Sequence, residues 1–236
     1  MNKLLYEGKA KKVYENEKDE NTIIIYYKDE VTAFNGVKKA VIDNKGIINL
    51  EVTNLLYQYL MKNNIKTHLI KKIDERNLLC TKTKVIPLEV IIRNYYAGSL
   101  AKKLNKKEGE KLKYPVIEIC LKDDNLGDPF INEDHALNLN ICTKEELEYI
   151  YSQTRLINDL LIKLLDKANI ILVDMKIEFG KDKDNNILLI DEISLDTSRF
   201  WDKTTLEKMD KDRFRRDMGN VIDYYNEFLQ RIKKVL

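Results

Sequence analysis

The chain has 236 residues, 44% hydrophobic and 34% charged, as is usual for a folded soluble protein. Its formal net charge is +2 and its lysines are spread among acids, so a nucleic-acid partner is not indicated. The three cysteines are widely spaced and lack a C-x-x-C pair, which argues against a zinc site or a disulfide framework. No signal peptide is recognisable, and no uncharged apolar stretch approaches the roughly 20 residues of a membrane helix. We therefore expect a cytoplasmic protein without a membrane partner.

The N-terminal part of the chain is predicted to be rich in short strands. β-Branched and aromatic residues indicate strands at 4–6, 11–14 and 22–27. An apolar stripe then predicts a helix near 47–62. Strands follow at 67–73, 77–80 and 85–92, and the proline in the last one favours a crossover or an edge. A hinge is expected near 82–89.

The second half of the chain combines a long helix with a hairpin. Thr143 and Glu146 form a capping-box pattern, and one apolar face continues the predicted helix to about residue 167. Apolar runs at 170–179 and 187–193 flank a polar turn and predict a β-hairpin. A polar loop is expected at 194–205, with helical patterns at 204–209 and 212–234. The sequence thus indicates a mixed α+β chain.

The predicted hairpin contains charged residues where a buried strand should have none. Folding it about the midpoint of its turn sets Glu178 opposite Asp191, roughly 5 Å apart, and like charges so placed destabilise a sheet. A divalent cation would remove that cost, because Mg²⁺ prefers oxygen ligands. Asp174, Lys176 and Glu178 share one strand face, and a ladder of structural ion pairs explains the lysine better than it explains all three charges. The hairpin therefore predicts a metal-nucleotide site.

Lysines near the N-terminus could bind phosphate. Lys9 and Lys11 are expected on one face of a strand beside Gly8, where two ammonium groups could hold a triphosphate. The segment matches no standard phosphate fingerprint, and solvated edge-strand lysines are the alternative interpretation.

Two serine–arginine pairs are further candidates for anion binding. Ser99 is predicted near a helix N-terminus with Arg93 close by, although an N-cap serine and a surface arginine would look the same. Ser198 and Arg199 suit a phosphate monoester. A loop held down by two following aromatic residues is the competing interpretation. His68 has no partner at triad or metal spacing, and no catalytic role is expected for it.

Read together, five segments resemble the phosphoribosylaminoimidazole-succinocarboxamide synthase family. They are Gly-Lys-Ala-Lys at 8–11, Asp-Glu-Val-Thr-Ala-Phe-Asn-Gly at 29–36, Arg-Asn-Tyr-Tyr-Ala-Gly-Ser at 93–99, Val-Asp-Met-Lys-Ile-Glu-Phe-Gly at 173–180 and Asp-Glu-Ile-Ser-Leu-Asp-Thr-Ser-Arg-Phe-Trp-Asp at 191–202. Their order and spacing match along essentially the whole chain. The resemblance implies a kinase-like antiparallel N-terminal sheet domain (1–84) packed on an ATP-grasp-like domain (85–236), with ATP in the cleft between them.

The resemblance also implies a reaction, its partners and its residues. ATP, L-aspartate and a carboxyaminoimidazole ribonucleotide (CAIR) would give a succinocarboxamide (SAICAR), ADP and phosphate in purine biosynthesis. For ATP it implies Lys9, Ala10, Lys11 and Val13, with Lys82 and Val85 at the adenine hinge and Glu178 and Asp191 on Mg²⁺. For the ribonucleotide it implies Arg93, Ser99, Ser198 and Arg199, while Lys176, Asp174, Asp128 and Glu89 would serve its carboxylate, its ring or a second metal, and Asn35 would help to place aspartate. Lys11, Lys176, Asp174 and Asp128 are the expected catalytic residues.

The expected chemistry needs charge neutralisation and positioning more than a protein nucleophile. ATP would convert a carboxylate into an acyl phosphate, which the amine of aspartate would then attack. The alternatives are a small-molecule kinase using the same ATP cleft and a non-catalytic nucleotide-binding module. A protein kinase is disfavoured, because H-R-D and D-F-G segments are missing. The oligomeric state stays open, a homo-oligomer included.

Overall fold

The computed structural model describes residues 3–34 and 36–236. The first antiparallel sheet has the strand order β1-β2-β3-β7-β6. Its strands are β1 (Leu4–Glu7), β2 (Lys11–Glu15), β3 (Thr22–Tyr27), β6 (Leu69–Lys72) and β7 (Asn77–Thr81). Between β3 and β6 the chain forms a separate hairpin, β4 (Glu30–Ala33) with β5 (Lys38–Val41), and helix α1 (Lys45–Lys62). The predicted N-terminal strands and helix are therefore confirmed, whereas the β4–β5 hairpin was not predicted.

Helix α1 begins where backbone and side chain hold it close to the first sheet. Asp29 accepts a 2.8 Å hydrogen bond from the Gly46 amide. It also accepts hydrogen bonds from both terminal nitrogens of the Arg76 guanidinium. A Cβ on Gly46 would lie 2.7 Å from the Tyr27 carbonyl oxygen, so a side chain cannot fit there. This contact fixes the start of α1 against β3.

The second sheet has the order β10-β9-β8-β11-β12, with β13 also pairing with β11. Its strands are β8 (Lys84–Tyr95), β9 (Lys111–Leu121), β10 (Phe130–Ile131), β11 (Ile170–Lys181), β12 (Ile187–Ile190) and β13 (Ser198–Asp202). Strand β11 pairs with β8 along one edge, while β12 and β13 share its other edge. The segment 191–197 therefore leaves the sheet between two strands that flank the same neighbour.

The hairpin of β11 and β12 forms as predicted, but its register differs by one residue. Glu178 pairs with Ile190, not with Asp191. The reason is the turn, which has an odd number of residues: Lys181 pairs with Ile187, and the Asp182 side chain accepts backbone hydrogen bonds within the turn. Asp191 thus follows the last strand residue, in the left-handed region at φ 65°.

Three expectations for the last quarter of the chain are wrong. Strand β13 lies inside the predicted 194–205 loop. It forms by pairing with β11, which is too far away in sequence for a local pattern to predict the pairing. The stretch 204–209 is not helical, since the Asp202 carboxylate caps the amides of Thr204 and Thr205 in a turn. The predicted 212–234 helix is divided into α5 (Asp212–Arg215) and α6 (Val221–Val235), with Gly219 at φ 70° in the break.

The remaining helices are α2 (Gly98–Lys103), α3 (Glu133–Asn138) and α4 (Lys144–Lys167). Thr143 and Glu146 cap α4 reciprocally, as predicted. One hydrophobic core runs from the first sheet through α1, β8 and β11 to α4 and α6. No described helix is both long and apolar enough to cross a membrane.

A backbone connection joins the two sheets at one point. The Leu189 amide donates to the Lys66 carbonyl, and the His68 amide donates to the Leu189 carbonyl, each at 2.9 Å. Strand β12 thereby lies directly beside the approach to β6. Because 191–197 follows β12 at once, that segment lies at the junction of the two sheets.

Candidate active site

A cavity of about 530 Å³ lies where the two sheets meet. One part of its wall is apolar and includes Val13, Ile23, Ile25 and Val85, whereas charged side chains line the rest. Such a combination suits a ligand with an apolar ring and a charged tail. The cavity brings together eleven of the residues predicted from the sequence: Lys9, Ala10, Lys11, Val13, Lys82, Val85, Glu89, Asp128, Lys176, Glu178 and Asp191.

The charged wall is built around Lys176 of β11. Its Nζ lies 2.6 Å from Glu178 Oε1, 2.9 Å from Glu89 Oε1 and 3.8 Å from Asp191 Oδ2. The backbone amide of Lys176 donates to the Thr197 carbonyl at 2.9 Å, which holds the 191–197 segment against β11. Three acids from β8, β11 and the end of β12 therefore converge on one ammonium group.

Two more lysines complete this cluster. Lys122 Nζ lies 2.9 Å from Glu178 Oε1, and Lys11 forms ion pairs with Asp191 and, at 3.0 Å, with Glu192. Burial alone would raise the pKa of Asp191, but Lys11 and Lys176 outweigh it and hold that pKa well below its usual range. The Asp191 carboxylate is therefore ionised at neutral pH.

The crowded acids do not by themselves require a metal ion. The sequence suggested that only a divalent cation could offset the charges of Glu178 and Asp191, but Lys176 lies between them and Lys122 and Lys11 pair with them from either side. The charges of these acids alone therefore do not establish a metal ion, because Lys176 lies two positions from Glu178 in β11 and Lys11 and Lys122 reach the acids from distant segments. A metal site has to be judged on its ligand atoms.

The donor atoms nevertheless fit Mg²⁺ bound together with a phosphate ligand. No group of three or more His, Cys, Asp or Glu side chains within 3–34 and 36–236 is arranged to hold a metal alone. Mg²⁺ commonly uses only one or two carboxylates and takes its other ligands from phosphates and water. Glu178 and Asp191 can supply those carboxylates, because both reach the same Lys176 ammonium. Nearby, Glu192 Oε2 is buried and makes no hydrogen bond to the described part of the protein.

The predicted arginines form a second cluster next to this cavity. Asp174 of β11 pairs in register with Arg93 of β8 on one side and Arg199 of β13 on the other. Its Oδ2 accepts hydrogen bonds from Arg93 Nη1 at 3.2 Å and Arg199 Nη1 at 2.8 Å. Arg93 Nη2 also donates to Ser99 Oγ at 3.2 Å. One carboxylate therefore aligns two guanidinium groups beside a serine hydroxyl.

Close packing around Arg199 explains a glycine in the predicted motif. Gly98 has φ 51°, and a Cβ there would lie 2.5 Å from Arg199 Nη2. Arg199 Nε also donates to Asp212 at 2.9 Å. Burial alone would lower the pKa of Arg199, but Asp174 and Asp212 raise it, so the guanidinium stays charged. Two charged guanidinium groups beside a serine hydroxyl are an arrangement that suits an anion with several oxygens.

Two predicted residues differ from expectation, and a third is not among the described residues. Lys9 lies in the bend before β2 and pairs with the exposed Asp124 at 2.8 Å, so it does not share a strand face with Lys11. Ser198 Oγ is buried without a hydrogen bond to the described residues. Since neighbouring strand residues face opposite sides, Ser198 does not accompany Arg199. Asn35 lies outside the described residues.

Several residues of the cavity wall were not predicted from the sequence as site residues. They are His68, Lys122, Glu192, Asp196 and Lys211. Glu192 could have been noticed as the neighbour of Asp191. The two lysines could not, because 41 lysines and arginines are spread through the chain and nothing local distinguishes these.

Comparisons with known proteins agree on one family. The family model described as SAICAR synthetase matches residues 4–232. A phosphoribosylaminoimidazole-succinocarboxamide synthase from Clostridium beijerinckii is 54% identical over 231 residues, which cover 98% of each chain.

Solved structures of that enzyme have the same fold. The synthase from Ehrlichia chaffeensis superposes with a TM-score of 0.96 at 40% identity, covering 99% of both chains. A SAICAR synthetase structure described as a complex with ADP has a TM-score of 0.94 at 43% identity, covering 98% of this chain and 97% of that one. The predicted α+β architecture, with a kinase-like antiparallel N-terminal sheet on an ATP-grasp-like part, is confirmed.

Proposed function

The chain belongs to the SAICAR synthetase family of ligases, and we propose that it joins L-aspartate to CAIR with ATP, giving SAICAR, ADP and phosphate. The observation that supports this most directly is the lysine-lined cavity beside an aligned pair of arginines. A ligase of this kind must hold a triphosphate and a phosphate monoester at once. The cavity and the arginine pair supply cations for both.

ATP is assigned to the cavity between the sheets. Lys9, Ala10, Lys11 and Val13 would cover the phosphates and base, and Lys82 and Val85 would line the adenine end. The related structure described as an ADP complex supports nucleotide binding by this fold. We further propose that 1–84 and 85–236 act as two domains with ATP between them, since the first sheet ends at Thr81 and the second begins at Lys84.

Glu178 and Asp191 are the residues that would hold Mg²⁺ on the ATP phosphates. When bound, the ion would neutralise phosphate charge during transfer. Lys11 and Lys176 both pair with Asp191 and hold its pKa well below its usual range, and both would supply positive charge to the γ-phosphate.

CAIR is assigned to the second cluster. Arg93, Ser99 and Arg199 would bind its phosphate, with Asp174 holding both guanidinium groups in position. Lys176, Glu89 and Asp128 line the cavity and would serve the carboxylate of CAIR, its ring or a second metal. A location in the cytoplasm and a role for Asn35 in placing aspartate stay predictions.

The proposed reaction has two steps. A carboxylate oxygen of CAIR attacks the γ-phosphorus of ATP, and the bond to the β-phosphate oxygen breaks to release ADP. The amine of aspartate then attacks the acyl carbon, loses a proton, and expels phosphate. Lysines and arginines are suited to these steps because both move negative charge without needing a protein nucleophile.

The test is to measure ADP release with ATP, Mg²⁺ and CAIR, with and without L-aspartate, and to identify the product. SAICAR formed in equal amount to ADP, and only with aspartate, is expected. A stable phosphorylated product that forms equally well without aspartate would instead identify a kinase. ATP binding without turnover in any mixture would identify a binding module.

A further inference from the structure

Lys211 lies in the cavity wall and has no counter-ion among residues 3–34 and 36–236. Lys211 is half-buried in the cavity wall, and its backbone amide donates to the Leu195 carbonyl at 2.9 Å, which places it beside the 191–197 segment. Its Nζ forms no ion pair or hydrogen bond within the described residues. An ammonium group that loses water in a cavity without gaining a partner is costly, unless a ligand supplies the partner.

Each of the other lysines in this cavity wall is either paired with an acid or exposed to solvent. Lys11, Lys122 and Lys176 are paired with acids of the cavity, and Lys9 pairs with Asp124. Lys82 is exposed to solvent. Among these six lysines, Lys211 is therefore the one whose positive charge is sheltered from water and still unmatched.

Asp196, the acid that attracts Lys211 most strongly, is already paired with another cation. Asp196 pairs with the buried Lys45 at 2.6 Å and accepts a 3.1 Å hydrogen bond from Tyr225 Oη. Burial lowers the pKa of Lys211, attraction by Asp196 and Glu192 opposes this, and repulsion from Arg215 and Lys45 adds to it. No acid among the described residues therefore forms an ion pair with Lys211.

Lys211 adjoins residues that belong to both ligand clusters. On one side, Glu192, whose charge attracts the Lys211 ammonium group, pairs with Lys11. On the other, the next residue is Asp212, which pairs with Arg199. A group bound by Lys211 would thus lie between the metal-nucleotide end and the ribonucleotide phosphate end, where the acyl carbon has to meet the amine.

We propose that Lys211 Nζ binds a carboxylate of L-aspartate and so positions the attacking amine. This inference rests on the proposed function, because it names the site of the third substrate. Aspartate has two carboxylates. The ammonium group of Lys211 in the cavity wall can form an ion pair with one of them. Lys45, Asp196 and Tyr225 would act behind it by holding the 191–197 segment in place.

The experiment is to compare wild type with Lys211→Met in full three-substrate kinetics. The KM for aspartate should rise on the order of 10–100-fold, whereas the KM values for ATP and CAIR should change less than about threefold. An unchanged aspartate KM, or an equal rise for all three substrates, would overturn the assignment. Lys234→Met is the matched control, because Lys234 is an exposed lysine of α6 far from the cavity wall in sequence.

A second measurement separates binding of aspartate from damage to the first step. Hydroxylamine, an amine without carboxylates, can take the place of aspartate and convert the acyl phosphate into a hydroxamate plus phosphate. Lys211→Met should form this hydroxamate at close to the wild-type rate, and its loss would overturn the proposal. If the Met variant does not fold, Lys211→Gln provides the same test. Absence of SAICAR with the wild type would defeat the proposed function itself, which is a separate result.

Discussion

Lys176 Nζ lies 2.6 Å from Glu178 Oε1, because the two residues are two positions apart in β11 and share one face of the strand. The same ammonium reaches Glu89 at 2.9 Å and Asp191 at 3.8 Å. Lys176 therefore occupies the place where the two proposed metal ligands converge. The positive charge at this point can come from a lysine of the protein or from a metal ion taken up from solution.

Replacing Lys176 with Met should make the protein more dependent on added metal. The variant loses the cation shared by these acids, so it should lose activity and about 3 kcal/mol of stability. Mg²⁺ should then raise its melting temperature by more than it raises that of the wild type. Differential scanning fluorimetry over a Mg²⁺ titration measures this, with the exposed Lys163→Met of α4 as the control. An equal Mg²⁺ response in both proteins would place the metal elsewhere.

Asp191→Asn should abolish most turnover while leaving the fold intact. Asn tolerates the left-handed conformation that Asp191 adopts at φ 65°, so the backbone needs no rearrangement. Loss of the charged ligand should lower kcat by about 10²–10³-fold. Asp184→Asn changes an exposed acid in the turn of the same hairpin and should be silent. Wild-type activity in the Asp191 variant would contradict the metal assignment.

Arg199→Ala should raise the KM for CAIR much more than the KM for ATP. Arg199 shares the carboxylate of Asp174 with Arg93, in the cluster assigned to the ribonucleotide phosphate. Loss of a charged hydrogen-bond donor corresponds to about a 10–100-fold rise in the KM for CAIR. Arg155→Ala, on the exposed face of α4, serves as the control. Equal effects on both substrates would separate Arg199 from the CAIR phosphate.

His68 should make stability depend on pH in the acid range. Burial, and to a lesser extent the charge of Lys11, lowers its pKa to about 4 from 6.5, against an opposing effect of Asp191. Between these values the unfolded chain binds a proton that the folded chain does not. Stability should therefore fall as the pH drops from 6.5 to 4, by roughly 3 kcal/mol at most.

The measurement for His68 is urea unfolding at several pH values, in wild type and in His68→Phe. Phe keeps a ring beside Tyr57, whose ring centroid is 5.9 Å from that of His68, and removes the titrating group. The variant should lose the part of the pH slope that lies between 6.5 and 4. If both proteins show the same slope there, other groups are responsible.

Features that depend on neighbours along the chain could be predicted from the amino-acid pattern alone. The capping box of Thr143 and Glu146, the amphipathic helix that follows and the β11–β12 hairpin with its charged residues all follow from local patterns, and each is present. The resemblance of five short segments was likewise sufficient to identify the family, because their order and spacing are properties of the sequence. Eleven of the residues that the resemblance implied line one cavity.

Which charged side chains meet depends on how the two sheets pack. The one-residue shift that sets Glu178 opposite Ile190 depends on how the turn closes, and β13 exists because β11 offers a free edge. Lys122 and Lys211 come from segments far away in sequence, so no spacing pattern could show that one pairs with Glu178 while the other has no partner in the described part of the chain. Local periodicity specifies elements and their faces, but electrostatic pairing depends on distances in space that only the packed sheets establish.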